Sequence, residues 1–103
     1  MSARSTQKQL ADIGAKAIEF VHTRAARMAA RRERNQLASE FSEERGGDAR
    51  YSEESDHRLG YSPEFLAFTN EAQQRYQLAV TSEKSARGRL YAAVRKHARG
   101  GAA

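Results

Sequence analysis

Hydrophobic residues recur at helical spacing in two long stretches of the chain, and a polar stretch lies between them. Residues 1–45 contain one glycine and no proline, and residues 63–99 contain one glycine and, at their first position, the single proline of the chain. Glycine and proline commonly interrupt helices, so their scarcity predicts two long helices, over about residues 5–45 and 63–99. The stretch between them, residues 46–62, is predicted to be a polar and acidic linker.

Signals for helix ends support these limits. Ser62, Pro63 and Glu64 are typical of a helix start: a capping hydroxyl, a proline in the first turn and an acid near the positive end of the helix dipole. Glycine pairs at 46–47 and 100–101 each follow an arginine and predict helix stops. The continuity of the first helix beyond Met28 is left open, because its apolar stripe changes character there.

An advance of 100° per residue assigns one apolar stripe to each predicted helix. The stripes predict an all-α fold in which residues 1–103 form a single domain, an antiparallel, coiled-coil-like helical hairpin. The interface between the helices is predicted to contain Leu10, Ile13, Ala17, Val21, Met28, Phe65, Phe68, Ala72, Tyr76, Val80, Leu90 and Val94.

Folding back about the linker places residues opposite one another when their numbers sum to about 108. This register predicts an ion pair between Arg24 and Glu83, and a cation–π contact of Arg31 or Arg32 with Tyr76. Two alanine-rich helices bury little area, so the hairpin is expected to self-associate or join a larger complex. A domain-swapped dimer would preserve nearly the same contacts and stays an alternative.

Net charge adds a second line of evidence. The formal charge is +5, with 14 arginines and four lysines, which favours acidic partners. Arginine abundance is also typical of proteins from GC-rich genomes. A stripe at helical spacing on the first helix is predicted to contact nucleic acid or an acidic protein: Arg24, Arg27, Arg31 and Arg34, with Arg32 beside them.

The sequence gives little support for a catalytic or metal-binding site. The chain has no cysteine. Glu19–His22 and Glu54–His57 match the Glu-x-x-His spacing of carboxylate metal sites, but the further inward carboxylates of such sites are missing. We therefore expect no catalytic residues, no metal, no cofactor and no small-molecule substrate.

Two functions follow from these observations. The first is a non-enzymatic adaptor or structural subunit that binds a protein or itself, and the alternative is a sequence-tolerant nucleic-acid-binding protein that uses the arginine stripe. No apolar run approaches the ~20 residues that cross a bilayer, and the amino terminus lacks the apolar core of a secretory signal. We expect a cytoplasmic protein without membrane contacts.

Overall fold

Two long α-helices make up the part of the chain that the structure describes, residues 3–44 and 62–102 of a computed structural model. Helix α1 spans Ala3–Glu44 and helix α2 spans Pro63–Ala102. The predicted all-α hairpin of two long helices is confirmed. Helix α1 continues without interruption through Met28, which answers the question that its changing stripe raised. The predicted linker and the Gly46–Gly47 stop lie outside the described residues, except for Ser62.

The start of α2 confirms the predicted capping. The Ser62 hydroxyl accepts a hydrogen bond from the Phe65 amide at 3.2 Å, and the Ser62 carbonyl accepts one from the Leu66 amide at 3.0 Å. The first bond satisfies an amide that lacks a partner within the helix, and the second is the first i→i−4 bond of the helix itself. Glu64 supplies the acidic side chain of the first turn. The helix therefore begins at Pro63, as the sequence predicts.

The predicted end of α2 is wrong. The helix continues through the glycine pair at 100–101 and ends at Ala102. A glycine within a helix costs only about 1 kcal/mol relative to alanine, so two of them weaken the last turn without terminating it.

Contacts between α1 and α2 confirm the antiparallel register. Residue numbers of contacting pairs sum to between 106 and 110, close to the predicted 108: Gln9–His97, Glu19–Arg89, Arg27–Glu83, Glu33–Arg75 and Phe41–Phe65. The chain divides into two compact units, unit 1 (Met1–Arg27 and Ala79–Ala103) and unit 2 (Met28–Leu78). Each contains a segment of both helices.

Unit 2 contains an aromatic core. The Phe41 ring centroid lies 5.4 Å from that of Phe65 and 5.5 Å from that of Phe68, at angles that suit edge and tilted packing. Phe41 is 2% exposed. Ala72, which follows Phe65 by seven residues on α2, is also buried. Buried Thr69 satisfies its hydroxyl by donating to the Phe65 carbonyl at 2.9 Å. These contacts hold α1 against the start of α2 within the unit.

Unit 1 has a much poorer core. Ala86 is its only fully buried apolar residue among those that the structure describes. Its interface positions alternate at spacings of three and four, the heptad pattern of a coiled coil, and many of them are polar or small. They are Thr6, Gln9, Ile13, Lys16, Phe20, Thr23 and Arg27 on α1, and Ala79, Glu83, Ala86, Leu90, Ala93, His97 and Gly100 on α2.

Candidate protein-docking site

Several large apolar residues of α1 that were predicted to face α2 are exposed instead. Leu10 is 53% exposed and Val21 is 61% exposed in unit 1, and Met28 is 45% exposed in unit 2. The prediction is wrong for these three residues. Ile13 is half-buried at an interface position, as predicted, and Ala17 is half-buried beside it.

The error arises because α1 places polar residues in the interface with α2 and several apolar residues on its outer surface. Unit 1 uses polar side chains inside the interface, where they have partners: His97 Nδ1 lies 3.0 Å from Gln9 Oε1, and the Thr23 hydroxyl donates to the Phe20 carbonyl at 2.9 Å. Choosing the most apolar stripe therefore selects the outer surface of α1. A straight 100° advance also drifts by about 20° per heptad from the 3.5-residue repeat that the interface follows.

The predicted ion pair involves a different arginine. Glu83 accepts a hydrogen bond from Arg27 Nε across the unit 1 interface, while Arg24 is exposed. The side chains of Arg27 and Glu83 are 23% and 18% exposed, so water screens this pair less than one at the open surface. Arg27 is three residues beyond Arg24, which is the same rotation of α1 that exposes Leu10.

In unit 2 the cation–π contact is likewise made by a later arginine of α1, two or three residues beyond the predicted ones. The Arg34 guanidinium carbon lies 4.3 Å from the Tyr76 ring centroid, and Arg34 Nη1 donates to Gln73 Oε1 at 3.3 Å. Arg31 and Arg32, the predicted partners of Tyr76, are exposed. Of the arginines predicted to contact nucleic acid, Arg27 and Arg34 are thus engaged within their own units.

The predictions for α2 hold better than those for α1. Phe65 and Ala72 are buried, and Tyr76, Val80 and Leu90 are half-buried. The other two predicted interface residues of α2 lie at its margin: Phe68 touches Phe41 but is 41% exposed, and Val94 is 43% exposed.

One flank of the helix pair carries ion pairs. In an antiparallel coiled coil, heptad positions g of both helices border one side of the interface and positions e border the other. The g positions hold Glu19 with Arg89 in unit 1, and Glu33 with Arg75 in unit 2. The hydrogen bond and the charge of Glu33 raise the pKa of Arg75 above its ordinary value. This flank is therefore polar and internally paired.

The other flank of unit 1 is apolar and exposed. Leu10, Ile18 and Val21 occupy heptad positions e, f and b of α1, and Tyr91 and Val94 occupy b and e of α2. These positions are contiguous around each helix and run from e, beside the interface, to f on the outer surface. All five side chains are between 43% and 61% exposed. We call this set the apolar face of unit 1.

A shallow hollow on α1 borders the apolar face. It has a volume of about 300 Å³ and is lined by Ala17, Ile18, Val21 and His22. Gly14 also lies at a b position, between Leu10 and Ile18 in the sequence, and a methyl group added there would meet open space. Small residues between larger ones give this surface the relief that receives side chains of another helix.

Charge on the e side of unit 1 has one sign. Unit 1 contains eleven arginines and lysines but only three acids, Asp12, Glu19 and Glu83. All three acids lie at g or a positions, away from the apolar face. Positions e, b and f hold five basic residues, all exposed: Arg4, Arg24, Lys84, Arg87 and Arg95. Among the described residues of unit 1, the positions that hold the apolar face therefore carry positive charge and no carboxylate.

The Glu-x-x-His pairs considered as metal ligands are not joined by further ligands among the described residues. Glu19 binds Arg89, and His22 lies beside the hollow. The other Glu-x-x-His pair, Glu54 and His57, lies outside the described residues. Within residues 3–44 and 62–102, no cluster of three or more acidic or histidine side chains is placed to hold a metal ion.

Comparisons with protein-family models, with curated proteins and with solved structures find no match to this chain. Neither described helix is long and apolar enough to cross a membrane.

Proposed function

We propose that this protein is a non-enzymatic interaction protein, an adaptor or structural subunit, that docks a partner on the apolar face of unit 1. One observation carries the proposal. Unit 1 places mostly polar and small residues between its helices, beside Ile13, Phe20 and Leu90, and leaves five other large apolar side chains exposed. An isolated pair of helices gains nothing from this arrangement, because exposed apolar area contributes no burial energy.

The size of the unpartnered surface supports docking. Five large apolar side chains occupy neighbouring heptad positions e, b and f of unit 1 and are all exposed, whereas single exposed apolar residues are ordinary on protein surfaces. Contiguous exposed apolar patches rimmed by polar residues mark interaction sites. Full burial of such a side chain contributes roughly 1.5–3 kcal/mol, so covering the exposed half of each contributes about 1 kcal/mol and supplies stability that the core of unit 1 lacks.

Site-specific photo-crosslinking in the native cells tests this proposal. A photoreactive amino acid replaces Val21 on the apolar face in one variant. In the control variant it replaces Ala26, which is also exposed but lies at a g position on the opposite flank. We expect a discrete protein adduct from position 21 that position 26 does not form. Identical products from both positions would contradict docking on this face.

Nucleic-acid binding is a second candidate, favoured by the excess of eight positive charges in unit 1. Because Arg27 is engaged with Glu83, phosphate contacts would come from exposed residues such as Arg24, Lys84 and Arg87. Such binding weakens steeply with salt through counterion release. Fluorescence anisotropy with random-sequence duplex and single-stranded DNA, at low and physiological salt, tests it. Absence of binding at both salt concentrations would remove this candidate.

A further inference from the structure

We infer that the occupant of the apolar face is an amphipathic helix of another protein whose apolar stripe is flanked by glutamate or aspartate. This inference rests on the proposed docking function and names the chemistry of its partner. It follows from three features of unit 1: the shape of the face, the sign of its charge and the partners already present on the opposite flank.

Shape favours a helix. The apolar residues lie on two antiparallel helices, and the shallow hollow beside Ile18 and Val21 gives the surface of α1 relief that can receive a side chain of a third helix. Apolar anchors of a docking helix recur at i, i+3, i+4 and i+7 and pack into grooves of this kind. A third helix on the e side would complete a bundle whose interior contains the side chains that unit 1 now exposes.

Charge selects an acidic helix. Arg24 and Arg87 occupy e positions on opposite sides of the interface, and Lys84 lies at the adjacent b position of α2. A helix lying on the apolar face would bring its own flanking residues beside these three cations. Acidic flanks form ion pairs there, whereas basic flanks meet like charge, which disfavours association.

The same charge argues against a second copy on this face. A symmetric dimer through the apolar face would bring the basic residues of one protomer against those of the other, since a two-fold contact uses the same patch twice. The acids of the g flank of unit 1 lie on the other side of the interface and already face cations, Glu19 beside Arg89 and Asp12 within 3.9 Å of Lys16. A phosphate backbone would use the cations but would leave Leu10, Ile18 and Val94 unburied.

Two synthetic peptides of about three heptads, labelled with a fluorophore, test the inference. Both carry leucine at the a and d positions. One carries glutamate at e and g, and the other carries lysine there. Anisotropy is measured with the full-length protein at low and physiological salt. We expect the glutamate peptide to bind at least about tenfold more tightly than the lysine peptide, since several flanking charges change sign together.

Matched variants of the protein locate the binding. Replacing Ile18 and Val21 together by Gln is expected to lower the affinity for the glutamate peptide by about tenfold or more, as loss of central apolar anchors does. Leu78→Gln is the control, because Leu78 is 69% exposed but belongs to unit 2. Circular dichroism checks that each variant keeps its helical content.

A second pair of variants tests the charge. The double variant Arg24→Gln/Arg87→Gln should bind the glutamate peptide roughly three- to tenfold more weakly, which is the effect expected from losing two exposed ion pairs. Lys96→Gln with Arg99→Gln removes the same net charge from positions outside the e, b and f set, so a smaller effect is expected. Equal loss in the two double variants would overturn the assignment of the acidic flank to this face.

Other outcomes separate this inference from the proposed function. If both peptides bind equally and Ile18→Gln/Val21→Gln abolishes binding, the docking face stands and the acidic partner is wrong. If sedimentation shows a dimer that the same variant dissociates, the occupant is a second copy. If only phosphatidylserine vesicles or DNA bind, the occupant is not a helix. If the variant changes none of these measurements and the peptides do not bind, the docking function itself fails.

Discussion

Replacing Gly14 and Gly88 by alanine is expected to stabilise unit 1. Both glycines lie inside helices, far from any helix end, and unit 1 contains both. A methyl group built at either position meets nothing within 4 Å apart from the helix itself. Neither glycine is therefore required for close packing in the free protein, and each carries the entropic disadvantage of glycine in a helix.

The magnitude follows from helix propensity, since no contact opposes the change. Glycine is about 0.8–1 kcal/mol less favourable than alanine in a helix interior, so each replacement should add nearly that amount. Additivity within a few tenths of a kcal/mol is expected if the two sites are independent, giving about 2 kcal/mol for the double variant. For a domain of this size, each kcal/mol raises Tm by roughly 4–8 °C.

Thermal and urea unfolding followed by circular dichroism measure the effect. Ala92→Gly provides the reverse control, because Ala92 is exposed on the same helix as Gly88 and should lose about 1 kcal/mol. An unchanged or lowered Tm in Gly14→Ala, with the expected loss in Ala92→Gly, would refute the reasoning. It would mean that α1 around Gly14 is not helical or that a methyl group at position 14 is crowded.

Three further outcomes test the packing of the helices. A double-mutant cycle of Arg27→Ala and Glu83→Ala should give a coupling energy of about 1–2 kcal/mol, while the cycle of Arg24→Ala with Glu83→Ala should give almost none; equal couplings would contradict the observed pairing. Phe41→Ala should cost about 3–5 kcal/mol and speed hydrogen exchange in unit 2, with Phe41→Leu milder, and similar exchange in both variants would count against the aromatic core. Ser62→Ala should cost about 1 kcal/mol in urea unfolding and Ser62→Asp much less, so equal losses would argue against the cap.

Element type and register were predictable because the sequence states them redundantly. Scarce glycine and proline, the cap at Ser62 and two apolar stripes all indicate the same hairpin. The register, in which the numbers of opposite residues sum to about 108, is determined once the limits of the helices and the antiparallel direction are chosen. The end of α2 was not predictable from Gly100 and Gly101, because a glycine pair only weakens a helix unless other contacts favour termination.

The rotation of α1 was not predictable from hydrophobicity alone. Arg27 and Arg34 appear unsuited to a helix interface until their partners on α2 are known, and those partners depend on the three-dimensional register. One signal was nevertheless present in the sequence. Thr6, Gln9, Ile13, Lys16 and Phe20 follow the same alternation of three and four residues that the interface shows, although most of them are polar.

The ion pairs of the g flank make the two helices selective for each other. In both units the carboxylate lies on α1 and the arginine on α2, as Glu19–Arg89 and Glu33–Arg75 show. Two copies of α1 aligned through this flank would place carboxylate against carboxylate, and two copies of α2 would place guanidinium against guanidinium. Charge at such flanking positions determines the choice of partner in coiled coils. Recognition between α1 and α2 is therefore heterotypic, encoded in the helices themselves rather than in the segment that connects them.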